Sequence, residues 1–188
     1  IGWLTWELTH SPTWLGIIAM ADFFPVVFMG PLGGALADRH SRVKVMVLSQ
    51  LVAAACALSM FGLSLSGALH EWHLAIFTFI SGMALGLNQA SRLALAPSLV
   101  PRELLTTAIA INSMVFNSAR FVGPMISTAV ISLWAIHYSF LLNAVSYSAL
   151  IVALLSLNIK RRENRGKDGV SRSIIDDIRE GVVFIKNH

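Results

Sequence analysis

Between Lys44 and Glu71 the chain carries no charged residue, and between Arg120 and Lys160 it carries none again. Stretches of that length, wound as helices, can cross a hydrocarbon layer of about 30 Å. They are too long for buried strands, and short charged or Gly/Pro-containing turns separate them. With 55% apolar residues and 13% charged, the pattern describes an all-α, polytopic membrane protein. The net charge of +4 then reports topology and does not argue for a nucleic-acid partner.

Five full spans are expected. Thr5 to Thr9 reads as the last turns of a preceding helix, and Ser11-Pro12 supplies a cap and a first-turn proline for a span over about 13–36. Further spans cover about 43–66, 72–96, 102–133 and 138–158, with Pro97 and Pro101 ending the third. Glu103 suits the positive end of the fourth helix dipole, and Pro124 interrupts that helix. The chain therefore divides into a transmembrane bundle, 1–159, and a polar linker with an amphipathic helix, 160–188, in which Ser173 to Asp176 fits a capping box.

Direction follows from the basic residues. Arg39, Arg42 and Lys44 form one cluster, Arg92 and Arg102 the next two crossings later, and Lys160 to Lys167 a third two crossings after that. The ends near His10 and near His70-Glu71 carry no Lys or Arg. This alternation predicts basic loops in the cytoplasm. All five tryptophans, Trp3, Trp6, Trp14, Trp72 and Trp134, fall near the opposite ends, as an interfacial aromatic belt requires.

Catalysis finds no support. There is no nucleophile elbow, no paired-carboxylate centre and no phosphate-binding loop. The six His are scattered and the single Cys56 lies in an apolar run, so neither a metal, a cofactor nor a disulfide framework is expected.

The sharpest local signal runs from Gly30 to Lys44, through Gly33, Gly34, Asp38, Arg39 and Arg42. Glycines let a helix end pack tightly, and Asp38 with the following bases makes a compact ion-pair device. A carboxylate there can bind a helix N-terminus or an Arg and hold one conformational state. A basic loop obeying topology rules explains the cations but not the glycines and Asp38 together. The stretch Gly34-Ala35-Leu36-Ala37-Asp38-Arg39-His40-Ser41-Arg42 resembles the loop between helices two and three of the major facilitator superfamily. Glu7 to Pro12 and Asn117 to Pro124 resemble its enterobactin-exporter and macrolide-efflux-like branch.

The resemblance implies twelve helices in two six-helix halves, a bacterial inner-membrane location, and export of small molecules in exchange for protons. On that mapping the chain runs from the end of helix one, mostly missing, to the linker before helix seven. Gly123-Pro124 resembles part of the superfamily's antiporter motif, although Ser127 and Thr128 stand where further small residues would follow.

Two charges lie deep in the spans. Arg120 is about 25 Å along its helix from the cytoplasmic end, and Asp22 about 15 Å from the outer end of its own. Buried membrane charges mark a partner or a polar route, so Asp22 and Arg120 are expected either to pair or to serve gating, proton coupling or an anionic substrate. Asn88, Gln89 and Arg92, with Asn112 on the next span, are candidates for the lining of a cytoplasmic cavity mouth; Asn88 and Arg92 share a face. Asn143 reads as packing, and Phe23, Phe24, Phe28, Phe116 and Phe121 as lipid-facing or core aromatics. The expected function is proton-coupled efflux of a small amphipathic, drug-like or siderophore-like compound, with the lipid bilayer and a second helical half as partners. Uptake or lipid/metabolite exchange in the same superfamily, and a non-transporting membrane scaffold, are the alternatives.

Overall fold

The apolar stretches wind into helices because nothing in a bilayer can satisfy a free backbone amide except the chain itself. In the computed structural model, residues 1–39, 41–99 and 101–156 are described, with no side-chain placement for 31, 34–39, 93–94, 96–99 and 102. The predicted linker and amphipathic helix at 160–188 lie outside the described residues. The order is α1 Gly2–Thr9, α2 Pro12–Arg39, α3 Arg42–Leu65, α4 Glu71–Leu99, a 3-10 turn Arg102–Leu104, α5 Leu105–Leu133 and α6 Ile136–Ser156. Five of these helices, α2 to α6, are long and apolar enough to cross a membrane. The all-helical membrane architecture is as the sequence implies.

The turns follow local chemistry. α1 stops at His10, whose backbone sits in the left-handed region at φ 48° and donates its N–H to the Trp6 carbonyl at 2.8 Å. Pro12 then opens α2, where its missing N–H costs nothing. α3 ends where Gly67 takes φ 70°, a conformation that a side chain would strain. Two boundaries differ from expectation. α4 passes through Pro97 and stops at Leu99, two residues before Pro101, because a proline close to a helix end removes only one backbone bond. Glu103 lies in the 3-10 turn and not in the first α-helical turn of α5.

Packing is uneven. α2 and α4 lie together along most of their length, α3 packs on both α4 and α6, and α5 meets α4 and α6 only over short stretches. Apolar side chains gain little by leaving lipid for one another, so close backbone approach must hold helices together. At the α2–α4 seam it does. A Cβ on Gly86 would stand 2.7 Å from Met29 Cβ and 3.2 Å from Val26 Cα, and one on Gly33 would stand 2.9 Å from Ala90 Cβ. Gly82, Gly86 and Ala90 repeat every four residues, which forms one small-residue stripe along α4.

Two apolar clusters close the bundle interior at its ends. One gathers Leu4, Ile18, Met60, Leu69, Leu74 and Phe140; the other gathers Met46, Leu95 and Leu154. Between Met46 and Met60 on α3 the inward positions turn polar or small: Ser49, Gln50, Ala53 and Ala57.

Candidate functional site

That middle section borders a partly open cavity of about 180 Å³. α2 contributes Asp22, α3 Ser49 and Gln50, α4 Thr78, Ser81 and Asn88, and α6 Asn143 and Tyr147, with Met60 and Phe140 at the apolar end. The seam fixes the Asp22 backbone beside this space, and the Asp22 side chain is exposed. A Cβ at Gly82 would come within 2.8 Å of the Asp22 carbonyl oxygen and 3.2 Å of that of Ala21. Pro25 lacks the N–H that would bond Ala21, four residues back, so this carbonyl is freed and faces a glycine.

The cavity wall contains polar groups with spare capacity. Ser49 Oγ donates to the Val45 carbonyl at 2.7 Å, so it is satisfied within its own helix. Gln50 Oε1, Thr78 Oγ1 and Asn88 Nδ2 are buried and have no hydrogen-bond partner. An unmet buried polar group costs about 1–3 kcal/mol, so a wall carrying three of them suits a polar occupant and is poor pure packing. One carboxylate, three amides and a phenol line one space, a polar pocket in an otherwise apolar bundle.

The predicted residues separate into several places. Asp22 and Asn88 line the cavity. Gln89 is half-buried beside it without lining it, and Asn112 is exposed on α5. Asp22 and Arg120 are not brought together. The Arg120 guanidinium lies over Phe116, 5.6 Å from the ring centroid, because a helical side chain leans back over the preceding turn and Phe116 sits four residues earlier. Arg92 points to the same ring at the same distance. Asn117 donates to the Ser113 carbonyl of its own helix at 2.8 Å.

Gly30 is half-buried, and a Cβ on it would meet nothing within 4 Å; of these two glycines it is Gly33 that makes a tight approach. Gly34, Asp38 and Arg39 occupy the last turns of α2, with side chains outside the described part, and Arg42 opens α3. Gly123 also meets nothing within 4 Å, and α5 continues through Pro124.

The sequence reading missed Gln50 and Tyr147, and Asn143, read as packing, lines the cavity. A signal existed. Gln50 is the one amide in a 24-residue charge-poor helix, and Asn143 and Tyr147 stand four apart on one face of α6.

Over residues 1–187 the chain matches the family model described as a transmembrane secretion effector of the major facilitator type. The chain belongs to the major facilitator superfamily. Among its relatives, an uncharacterized MFS-type transporter of Bacillus subtilis (strain 168) is 26% identical over 183 residues, covering 96% of this chain and 42% of the relative. The macrolide efflux protein A of Streptococcus pyogenes is 24% identical over 184 residues, covering 97% of this chain and 45% of that protein. The enterobactin exporter EntS of Escherichia coli O1:K1 / APEC is 30% identical over 154 residues, 80% of this chain and 36% of the exporter. The chain thus spans under half the length of these relatives. No solved structure matches it. Five membrane-length apolar helices among the described residues, in a chain of a transporter family, make this an integral membrane protein.

Proposed function

We propose that this chain is the N-terminal half of a proton-coupled exporter of small amphipathic compounds, working by alternating access. The cavity carries the reading: a polar space around Asp22, closed at each end by an apolar cluster, lies within a bundle of membrane-length helices. Relatives named for macrolide efflux and enterobactin export favour the outward direction. Because the chain spans under half of those proteins, the first helix is taken to continue before Gly2, and a second six-helix half to complete the cargo site beyond residue 188.

In this reading the basic ends face the bacterial cytoplasm. Asp22 is the carboxylate available to take up a proton inside the spans, while Gln50, Asn88, Asn143 and Tyr147 meet the polar parts of the cargo. Gly34, Asp38, Arg39 and Arg42 act at the α2–α3 junction as the gate that holds one state, and Gly123-Pro124 shapes the helix that meets the other half.

The test is transport by the full-length protein in proteoliposomes with an imposed pH gradient. Cargo movement should accelerate with the gradient, collapse with a protonophore, and lose its gradient dependence in Asp22→Asn. A scaffold would move no solute under any gradient.

A further inference from the structure

Two cations lie outside the cavity and converge on one ring. Arg92 on α4 and Arg120 on α5 each place the guanidinium carbon 5.6 Å from the centroid of Phe116. They arrive from opposite directions. α4 and α5 are consecutive spans joined by a short turn and so run antiparallel, and side chains on an α-helix lean toward its N-terminus. Arg120 drops back one turn onto Phe116, toward the α4–α5 junction. Arg92, seven residues from the end of α4, leans away from that junction, toward the middle of the bilayer. An arginine so placed could extend its stem to the nearby membrane surface. It reaches inward instead.

Among the described residues neither cation meets a counter-charge, and Arg120 is exposed on α5. Arg92 Nε is buried without a hydrogen-bond partner, and among the described residues no carboxylate pairs with either guanidinium. The neighbouring groups are donors as well. Asn88, one turn from Arg92 on the same face of α4, has a buried Nδ2 with no partner, and the fully buried Ser91 Oγ lacks one too. Two like charges held over one ring in a medium of low dielectric repel each other unless an anion meets both. A guanidinium fork matches a carboxylate edge to edge. Depth argues for cargo over lipid: Arg120 stands about 22 Å along α5 from Leu105, deeper than a headgroup lies.

We propose that Arg92 and Arg120, positioned by Phe116, form an oxyanion site for the carboxylate of an amphipathic cargo. The proposal rests on the exporter reading and adds the charge of the cargo to it. It is tested by binding to the full-length protein purified in neutral detergent, using 1-naphthoate and its uncharged amide, 1-naphthamide, as probes. Wild type should hold naphthoate at least tenfold more tightly than naphthamide. Arg92→Gln and Arg120→Gln should each weaken naphthoate binding at least fivefold and leave naphthamide unchanged, while Arg92→Lys and Arg120→Lys retain a reduced preference.

Equal affinity of wild type for the two probes would overturn the site, as would naphthoate binding untouched by both glutamine variants. Displacement of naphthoate by phosphatidylglycerol but not by benzoate would assign the arginines to lipid and overturn the cargo site equally. Should a glutamine variant fail to fold, the wild-type ratio and the lysine variants decide. Binding in detergent needs no transport, so the two readings fail separately. A tenfold preference without gradient-driven transport removes the exporter and keeps the site; equal binding beside intact transport does the reverse.

Discussion

The α2–α4 seam and α5 solve the same problem in opposite ways. At the seam, Gly33, Gly82 and Gly86 bring two backbones so close that no Cβ fits, and Asp22 is fixed at the cavity edge as a consequence. α5 has no buried residue, and Phe121 and Met125 expose 79% and 71% of their surface. Its clearest tie to α4 is the contact of Arg92 with the ring of Phe116, the ring that Arg120 also reaches. In lipid, where apolar contact alone gives little, the first arrangement locks two helices together and the second leaves most of the α5 surface uncovered by the other described helices. Gly123-Pro124 and Arg120 lie on the second.

The contrast can be broken most forcefully at Gly86. Gly86→Val should push α4 off Met29 and Val26 and cost about 3 kcal/mol, near the upper end for overpacking, seen as a large fall in the thermal unfolding midpoint in detergent. A smaller loss is expected on α5. Phe116→Leu removes both cation–ring contacts and should lower stability by about 1–2 kcal/mol by the same measurement. The cavity should respond with the opposite sign. Thr78→Val replaces an unpartnered buried hydroxyl with a methyl group and is expected to gain about 1 kcal/mol while slowing transport. Smallest of all is Gly62→Ala, which meets open space in the interior of α3 and should stabilise by about 0.5 kcal/mol. If Gly62→Ala harmed folding as much as Gly86→Val, close backbone approach would not be what sets the seam apart.

The spans were legible because hydropathy and the spacing of charge act along one helix at a time. Lys44, Glu71, Arg120 and Lys160 bracket their stretches whatever those stretches pack against. The site was only partly legible, because a cavity is a property of several helices at once. Asp22 and Asn88 declared themselves by being polar in an apolar span. Asn143 did so too, but nothing local distinguishes an amide that bridges helices from one that faces a cavity. The α4 stripe Gly82-Gly86-Ala90 carries the four-residue repeat in plain view, yet its partner, Gly33, sits in a motif where Gly30 and Gly34 compete for the same role. Arg120, a charge deep in an apolar span, asks for a partner or a polar route. The ring that receives it is four residues away on its own helix, and the second arginine on that ring comes from α4, which no single-helix periodicity reveals.

The central claim, that the space around Asp22 is a water-accessible polar route inside a lipid-facing shell, is most directly tested by thiol labelling of the full-length protein in membranes. In a cysteine-free background that includes Cys56→Ala, single cysteines would replace Ser81 and Asn143 at the cavity, and Phe79 and Val152 on the outer surface, where these expose 42% and 67%. A charged, membrane-impermeant thiosulfonate should modify the first pair, more slowly when cargo is bound, and leave the second pair unreacted. Reaction at Phe79→Cys and Val152→Cys with none at Ser81→Cys or Asn143→Cys would contradict the account.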